Sequence, residues 1–252
     1  MKPRTIALFA AAALLGGVTT ARAVTRTEVL VKAKSFAFHP WSAKAQNTTA
    51  SCNGAYKSVY APGDYMGLPY DWGGYMSLFT FDQQIAQGYG AGSYPADGVL
   101  DCTSGVDCSG FVSQCWTSGH FTTSTIDQVS SVVSQSSMLA GDIFNDAGNH
   151  MALFSHLLGN GEPVLYEAVF YNAHLSMPGW SWLNGYVPRR YKNVTGQVAD
   201  DPSGTTEKPI AINSFPSSIR ATPRTRRVTS STAAGPTPAC PSPDPNTSIP
   251  SA

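Results

Sequence analysis

The chain has 252 residues, with 16 Lys+Arg against 16 Asp+Glu and 5 Cys. That length holds one sizeable domain with appendages, or two small ones. Hydrophobic residues make up 42%, enough for a packed core, which excludes wholesale disorder. The zero net charge argues against a nucleic-acid binder that works by neutralising phosphates.

Lys2 and Arg4 precede an apolar run from Ile6 to Val18, and Ala21-Arg22-Ala23 follows. A basic start, a short apolar core and a small-x-small exit mark residues 1–23 as a secretory signal peptide. The run is short for a membrane span of about 20 residues; an uncleaved anchor is the competing reading. Cleavage after Ala23 would remove Lys2, Arg4 and Arg22, leaving 13 basic against 16 acidic residues. The expectation is a secreted protein, extracellular or periplasmic, with no stable membrane anchor.

Residues 24–197 read as one α+β domain. Thr25 and Glu28 have capping-box spacing at the start of a helix over 25–38, which Pro40 ends. From Asp64 to Leu100 the chain is rich in Gly, Tyr and Asp with little periodicity, which suggests long loops. Asp107-Cys108-Ser109-Gly110-Phe111 opens a second helix, and Phe111, Val112, Cys115 and Trp116 would form its buried face. Three apolar runs then read as strands: Asp142–Phe144, Met151–Leu158 and Val164–Phe170. Gly159-Asn160-Gly161 between the last two is a hairpin signal. Helices followed by antiparallel strands indicate α+β rather than alternating α/β. Residues 198–252 hold 10 of the 18 prolines and many Ser and Thr, the composition of a disordered tail. It reads either as a linker to a further partner or as a wall-contact segment.

Cys108 falls at a helix N-terminus, where unpaired backbone N–H groups favour a thiolate nucleophile. A disulfide half-cystine is the rival reading in a secreted chain. A nucleophilic Cys needs a base, and the base needs an orienting group. His150, at the start of the second strand, is the expected base. His156 is too far along the strand, roughly 20 Å from His150 at about 3.3 Å per residue. His39 and His120 read as surface or packing residues, and His174, in a loop, is the substitute. Glu167 is the one strongly polar side chain of the third strand. An acid there is costly unless paired, so it would hold the His150 imidazole; the alternative is an edge-strand Glu facing water. Cys115 reads as a buried thiol, and Cys240 as free or intermolecular. Cys52 and Cys102, both in loop-rich sequence, are expected to form a disulfide. No His/Cys cluster has zinc spacing, so neither metal nor cofactor is expected.

Taken in order, these segments resemble the NlpC-type cysteine peptidases of bacterial cell walls, a papain-like superfamily. The motifs are Gly67-Leu-Pro-Tyr70-Asp-Trp72-Gly73-Gly74, Asp107-Cys108-Ser109-Gly110-Phe111-Val112, Gly141-Asp142-Ile-Phe144, His150-Met-Ala-Leu-Phe154, and Gly159-Asn160-Gly161 with Tyr166-Glu167-Ala168. The resemblance implies Cys108 as nucleophile, His150 as base and Glu167 as third residue, with Asp107 and Ser109 as structural support. It implies that Tyr70 lies near the thiol, where its hydroxyl could help stabilise an oxyanion; otherwise Tyr70 packs beside Trp72. The chain departs from the family in carrying Glu as third residue, where His, Asn or Gln is usual. It also carries a long insertion, Tyr75 to Val106, expected to cover or reshape the substrate groove. The implied activity is cleavage of amide bonds in peptidoglycan stem peptides or another peptide substrate, by a monomer. The alternatives are an amidase, transferase or acyltransferase on the same fold, or a non-catalytic wall-binding or toxin-like module.

Overall fold

A computed structural model describes residues 23–49, 56 and 58–196. The expected signal peptide up to Arg22 and the Pro-rich tail, with Cys52 and Cys240, lie outside the described residues. The architecture is α+β.

Helix α1 (Arg26–Ala37) begins as its sequence requires: the Thr25 hydroxyl accepts from Glu28 N at 3.1 Å, and the Glu28 carboxylate accepts from Thr25 N at 2.8 Å. Val29, Ala33, Phe36 and Ala37 form its buried face. A short helix α2 (Ala45–Thr49) follows. The segment expected as long loops contains a third helix, α3 (Leu78–Gln87), which corrects that reading. Its signals are local: Ser77 caps Thr80 N, Phe81 and Ile85 share the buried face, and Gly88 closes the helix in the left-handed region at φ 93°. Helix α4 (Cys108–Trp116) buries Phe111, Val112, Cys115 and Trp116 completely.

Six antiparallel strands form the main sheet: β1 (Ser130–Val132), β2 (Ile143–Asp146), β3 (His150–Leu157), β4 (Pro163–Val169), β5 (Asn172–Ser176) and β6 (Val187–Tyr191), in the order β5-β4-β3-β2-β6-β1. The three expected strands are β2, β3 and β4, and the glycine-rich turn joins the last two. Strands β1, β5 and β6 carry weak signals. Strand β6 even contains Pro188, tolerated just beyond the residues that pair with β1. A bulge in β3 between Phe154 and His156 turns His156 out to solvent.

Helices α1 and α4 pack on each other and on β3, β4 and β5. Met151, Leu153, Tyr166 and Ala168 meet them on one face of the sheet. Ala152, Phe154 and Leu165 alternate to the other face and pack with Phe144 and Leu183. Both faces of β3 are therefore covered. Asp142 locks α1 to the sheet: fully buried, it accepts from Arg26 Nη1 at 2.9 Å, Arg190 Nη2 at 2.7 Å and Leu139 N at 2.9 Å.

Candidate active site

Asp107 is the N-cap of α4. Its Oδ1 accepts from Gly110 N at 2.6 Å and from the Ser109 hydroxyl at 2.8 Å, and its Oδ2 accepts from Gly73 N at 3.1 Å. One carboxylate thus caps the helix and ties it to the Tyr70 segment. Cys108 is the first residue of α4, 6% exposed, and its sulfur is in no disulfide. The half-cystine reading is therefore not met. Cys115 is likewise in no disulfide, but burial pushes its thiol well up, so it is a core thiol and no nucleophile. Cys102 is disulfide-bonded; its expected partner, Cys52, is outside the described residues.

The segment from Tyr70 to Gly74 is laced to the residues before Cys108. Val106 N donates to Pro69 O at 3.0 Å, Asp71 N to Val106 O at 3.1 Å, and Asp107 N to Gly74 O at 3.0 Å. Gly110 has no room for a side chain: a Cβ there would run into the Gly74 carbonyl oxygen. Tyr70 is buried beside Val106, two residues ahead of the thiol, and stacks on Tyr94 at 6.4 Å. Tyr94 comes from the insertion, which is folded into the core through Phe81 and Ile85. Within the insertion, Ser104 Oγ donates to Gln84 Oε1 at 2.8 Å and ties its end to α3.

His150 and Glu167 face each other from adjacent strands. His150 Nε2 lies 2.8 Å from Glu167 Oε2, with the residues 8% and 3% exposed. Glu167 is on an interior strand, so the edge-strand alternative is not met. Burial pushes its carboxyl up, but the hydrogen bond and charge of His150, with Ser176 and His174, outweigh burial and hold it below its ordinary value. It is a carboxylate at neutral pH. With Nε2 engaged by Glu167, the ring turns its Nδ1 edge away from that carboxylate.

Tyr186 joins the two halves. Burial raises its pKa, and the charges of Asp146, Glu167 and Cys108 raise it further, which places the thiol and the carboxylate within electrostatic reach of one phenol. Its ring is 6.4 Å from that of His150 and stacks at 5.1 Å on Trp182, which meets His150 edge-on at 5.6 Å. His150 thus lies among Glu167, Trp182 and Tyr186 on strands that α4, led by Cys108, packs against. Sequence reasoning missed Tyr186 and Trp182, which sit in an aperiodic loop whose only signal is its aromatic density.

The remaining histidines are elsewhere. His39 bonds Asp82 at 2.7 Å, and His120 stacks on Tyr75 at 4.7 Å. His174 is on strand β5, which corrects its placement in a loop. Among the described residues no group of three or more His, Cys, Asp or Glu side chains could hold a metal ion, and no helix is long and apolar enough to cross a membrane. Comparison of the chain with protein-family models, curated proteins and solved structures finds no match.

Proposed function

We propose that the protein is a secreted cysteine hydrolase of the NlpC type, with a papain-like arrangement of nucleophile helix and sheet, that cleaves amide bonds in peptidoglycan stem peptides. The observation that carries this reading is the buried His150–Glu167 pair at 2.8 Å, on two strands that pack against the helix whose first residue is Cys108, a cysteine in no disulfide. A buried carboxylate on Nε2 fixes the imidazole tautomer and supports an imidazolium, leaving Nδ1 for the thiol. The helix N-terminus favours the thiolate.

The thiolate of Cys108 attacks the amide carbonyl carbon, and the negative charge moves to the carbonyl oxygen. The backbone N–H of Cys108 and the Tyr70 hydroxyl are the donors suited to that oxyanion. Collapse breaks the C–N bond as the His150 imidazolium gives its proton to the leaving amine. A thioester remains. His150, now neutral, takes a proton from water, whose oxygen attacks the thioester; collapse releases the acid and restores the thiolate and imidazolium.

The test is digestion of purified muropeptides, with mass spectrometry of the new termini. The wild type should yield one new amine and one new carboxylate per cut, and Cys108→Ala should be folded and inactive. Full activity in that variant would overturn the mechanism; transfer to an acceptor other than water would turn the reading to a transferase. Selective alkylation of Cys108 near pH 6, an acidity chosen on the order of that of an ordinary imidazole, separates an activated thiol from an inert one in a binding module.

A further inference from the structure

Glu167 brings a full negative charge into a nearly sealed position, and burying a charge is costly unless more than one partner compensates it. His150 supplies one partner from β3. The strand on the other side supplies a second. The β4–β5 register sets His174 directly opposite Glu167 and Ser176 opposite Leu165. Directly opposed residues of antiparallel strands share a face with Cβ atoms about 5 Å apart. Glu167 is therefore flanked by an imidazole from each neighbouring strand, His174 directly opposite and His150 reaching it diagonally at 2.8 Å. The His174 ring is held in turn: its Nδ1 lies 2.9 Å from Asn172 O. A carbonyl oxygen only accepts, so that nitrogen carries the hydrogen. The other groups on this face are the Ser176 hydroxyl from β5, and Tyr186 with Asp146 from the loop before β6 and from β2.

We propose that His174 is a positioning residue of the site, acting on the Cys108–His150 pair through Glu167 by holding that carboxylate ionised and aimed at His150 Nε2. The assignment rests on the cysteine-hydrolase reading for its purpose, but not for its test. An imidazole is cationic in acid solution and neutral in base. The support His174 gives is the positive charge of its protonated ring, which the β4–β5 register sets directly opposite the Glu167 carboxylate. Without it, Glu167 takes up a proton at higher pH, His150 loses its counter-charge, and the Cys108 thiolate forms at higher pH. The acid limb of reactivity moves up while the alkaline limb stays in place. The expected size is about one pH unit, about tenfold in thiolate fraction on the limb.

The experiment measures the rate of Cys108 alkylation by iodoacetamide against pH, resolved from Cys115 by peptide mass mapping, in wild type, His174→Gln, His174→Asn and His174→Lys. This readout needs no substrate. The acid limb should rise by about one unit in the two neutral variants and return toward wild type in the lysine variant, which restores a cation. Identical limbs in all four proteins, or the same shift in lysine as in the neutral variants, would overturn the assignment. So would failure of both neutral variants to fold, since a ring that only tunes charge is dispensable for folding. Muropeptide cleavage run in parallel keeps the two ideas apart. If the wild type cleaves nothing while the alkylation limbs shift as stated, the function fails and the assignment of His174 stands.

Discussion

Asp71 is buried in the Tyr70 segment, within electrostatic reach of the Asp107 cap of α4, and its titration should be visible in the stability of the whole protein. Burial pushes its pKa up to about 6; the Ser93 and Thr103 hydroxyls pull it back and Asp107 pushes it further. In an unfolded chain Asp titrates near 3.9. The folded protein therefore holds this proton more tightly than the unfolded chain. The resulting stability is fully present below about pH 4 and is lost as the pH rises through about 6. A shift of roughly two units at about 1.4 kcal/mol each makes the loss about 3 kcal/mol. Asp71→Asn cannot ionise, and it keeps an oxygen for the Ser93 hydroxyl, which donates to Asp71 Oδ1 at 2.7 Å. Urea unfolding of both proteins from about pH 4 to about pH 7 gives the comparison. The stability of the variant minus that of the wild type should climb by about 3 kcal/mol over that range. A difference that stays flat would mean that Asp71 ionises in the folded protein at no cost, and would refute the reasoning.

Phe170 holds φ at 55° in the turn between β4 and β5 and is 70% exposed; Phe170→Gly should relieve about 1–2 kcal/mol of left-handed strain and raise the melting temperature, and a lower one would count against that strain. Asp142→Ala leaves the buried Arg26 without its carboxylate and should cost about 3–5 kcal/mol in urea unfolding, far more than loss of an exposed pair. Gly110→Ala should part α4 from Gly74, so that alkylation of Cys108 and thermal stability both change; a wild-type profile in both would show that the contact can yield. Glu167→Ala should lower kcat for muropeptide cleavage by on the order of 10²-fold or more, with Cys108 still open to alkylation.

What was legible in the sequence was whatever local chemistry encodes. The capping box of Thr25 and Glu28 announces α1 without tertiary help, and Asp107 with the apolar face behind it announces α4. Strands β3 and β4 are long and buried on both faces, so they read as continuous apolar runs. Strands β5 and β6 are short and polar, and only the sheet they join makes them strands. Helix α3 had readable caps that the surrounding glycines and tyrosines obscured. In the site, Glu167 was conspicuous because an acid inside an apolar strand needs a reason. His174 was not, because its meaning depends on register, which pairs residues that the sequence does not align. Tyr186 and Trp182 reach His150 from an aperiodic loop, and no spacing rule points to them.

The double coverage of β3 has a consequence for how the molecule opens. Its amides are hydrogen-bonded to β2 and β4 at its edges and shielded by the helices on one side and by Phe144, Phe154 and Leu183 on the other. Such amides exchange with solvent only through global unfolding, whereas α3, anchored mainly by Phe81 and Ile85, can open in a smaller, cheaper event. His150 and Glu167 are therefore carried by the slowest-exchanging part of the protein, and Tyr94 by a part that exchanges sooner. Local opening of the insertion can free Tyr70 from its stack on Tyr94 while the imidazole and its carboxylate stay together.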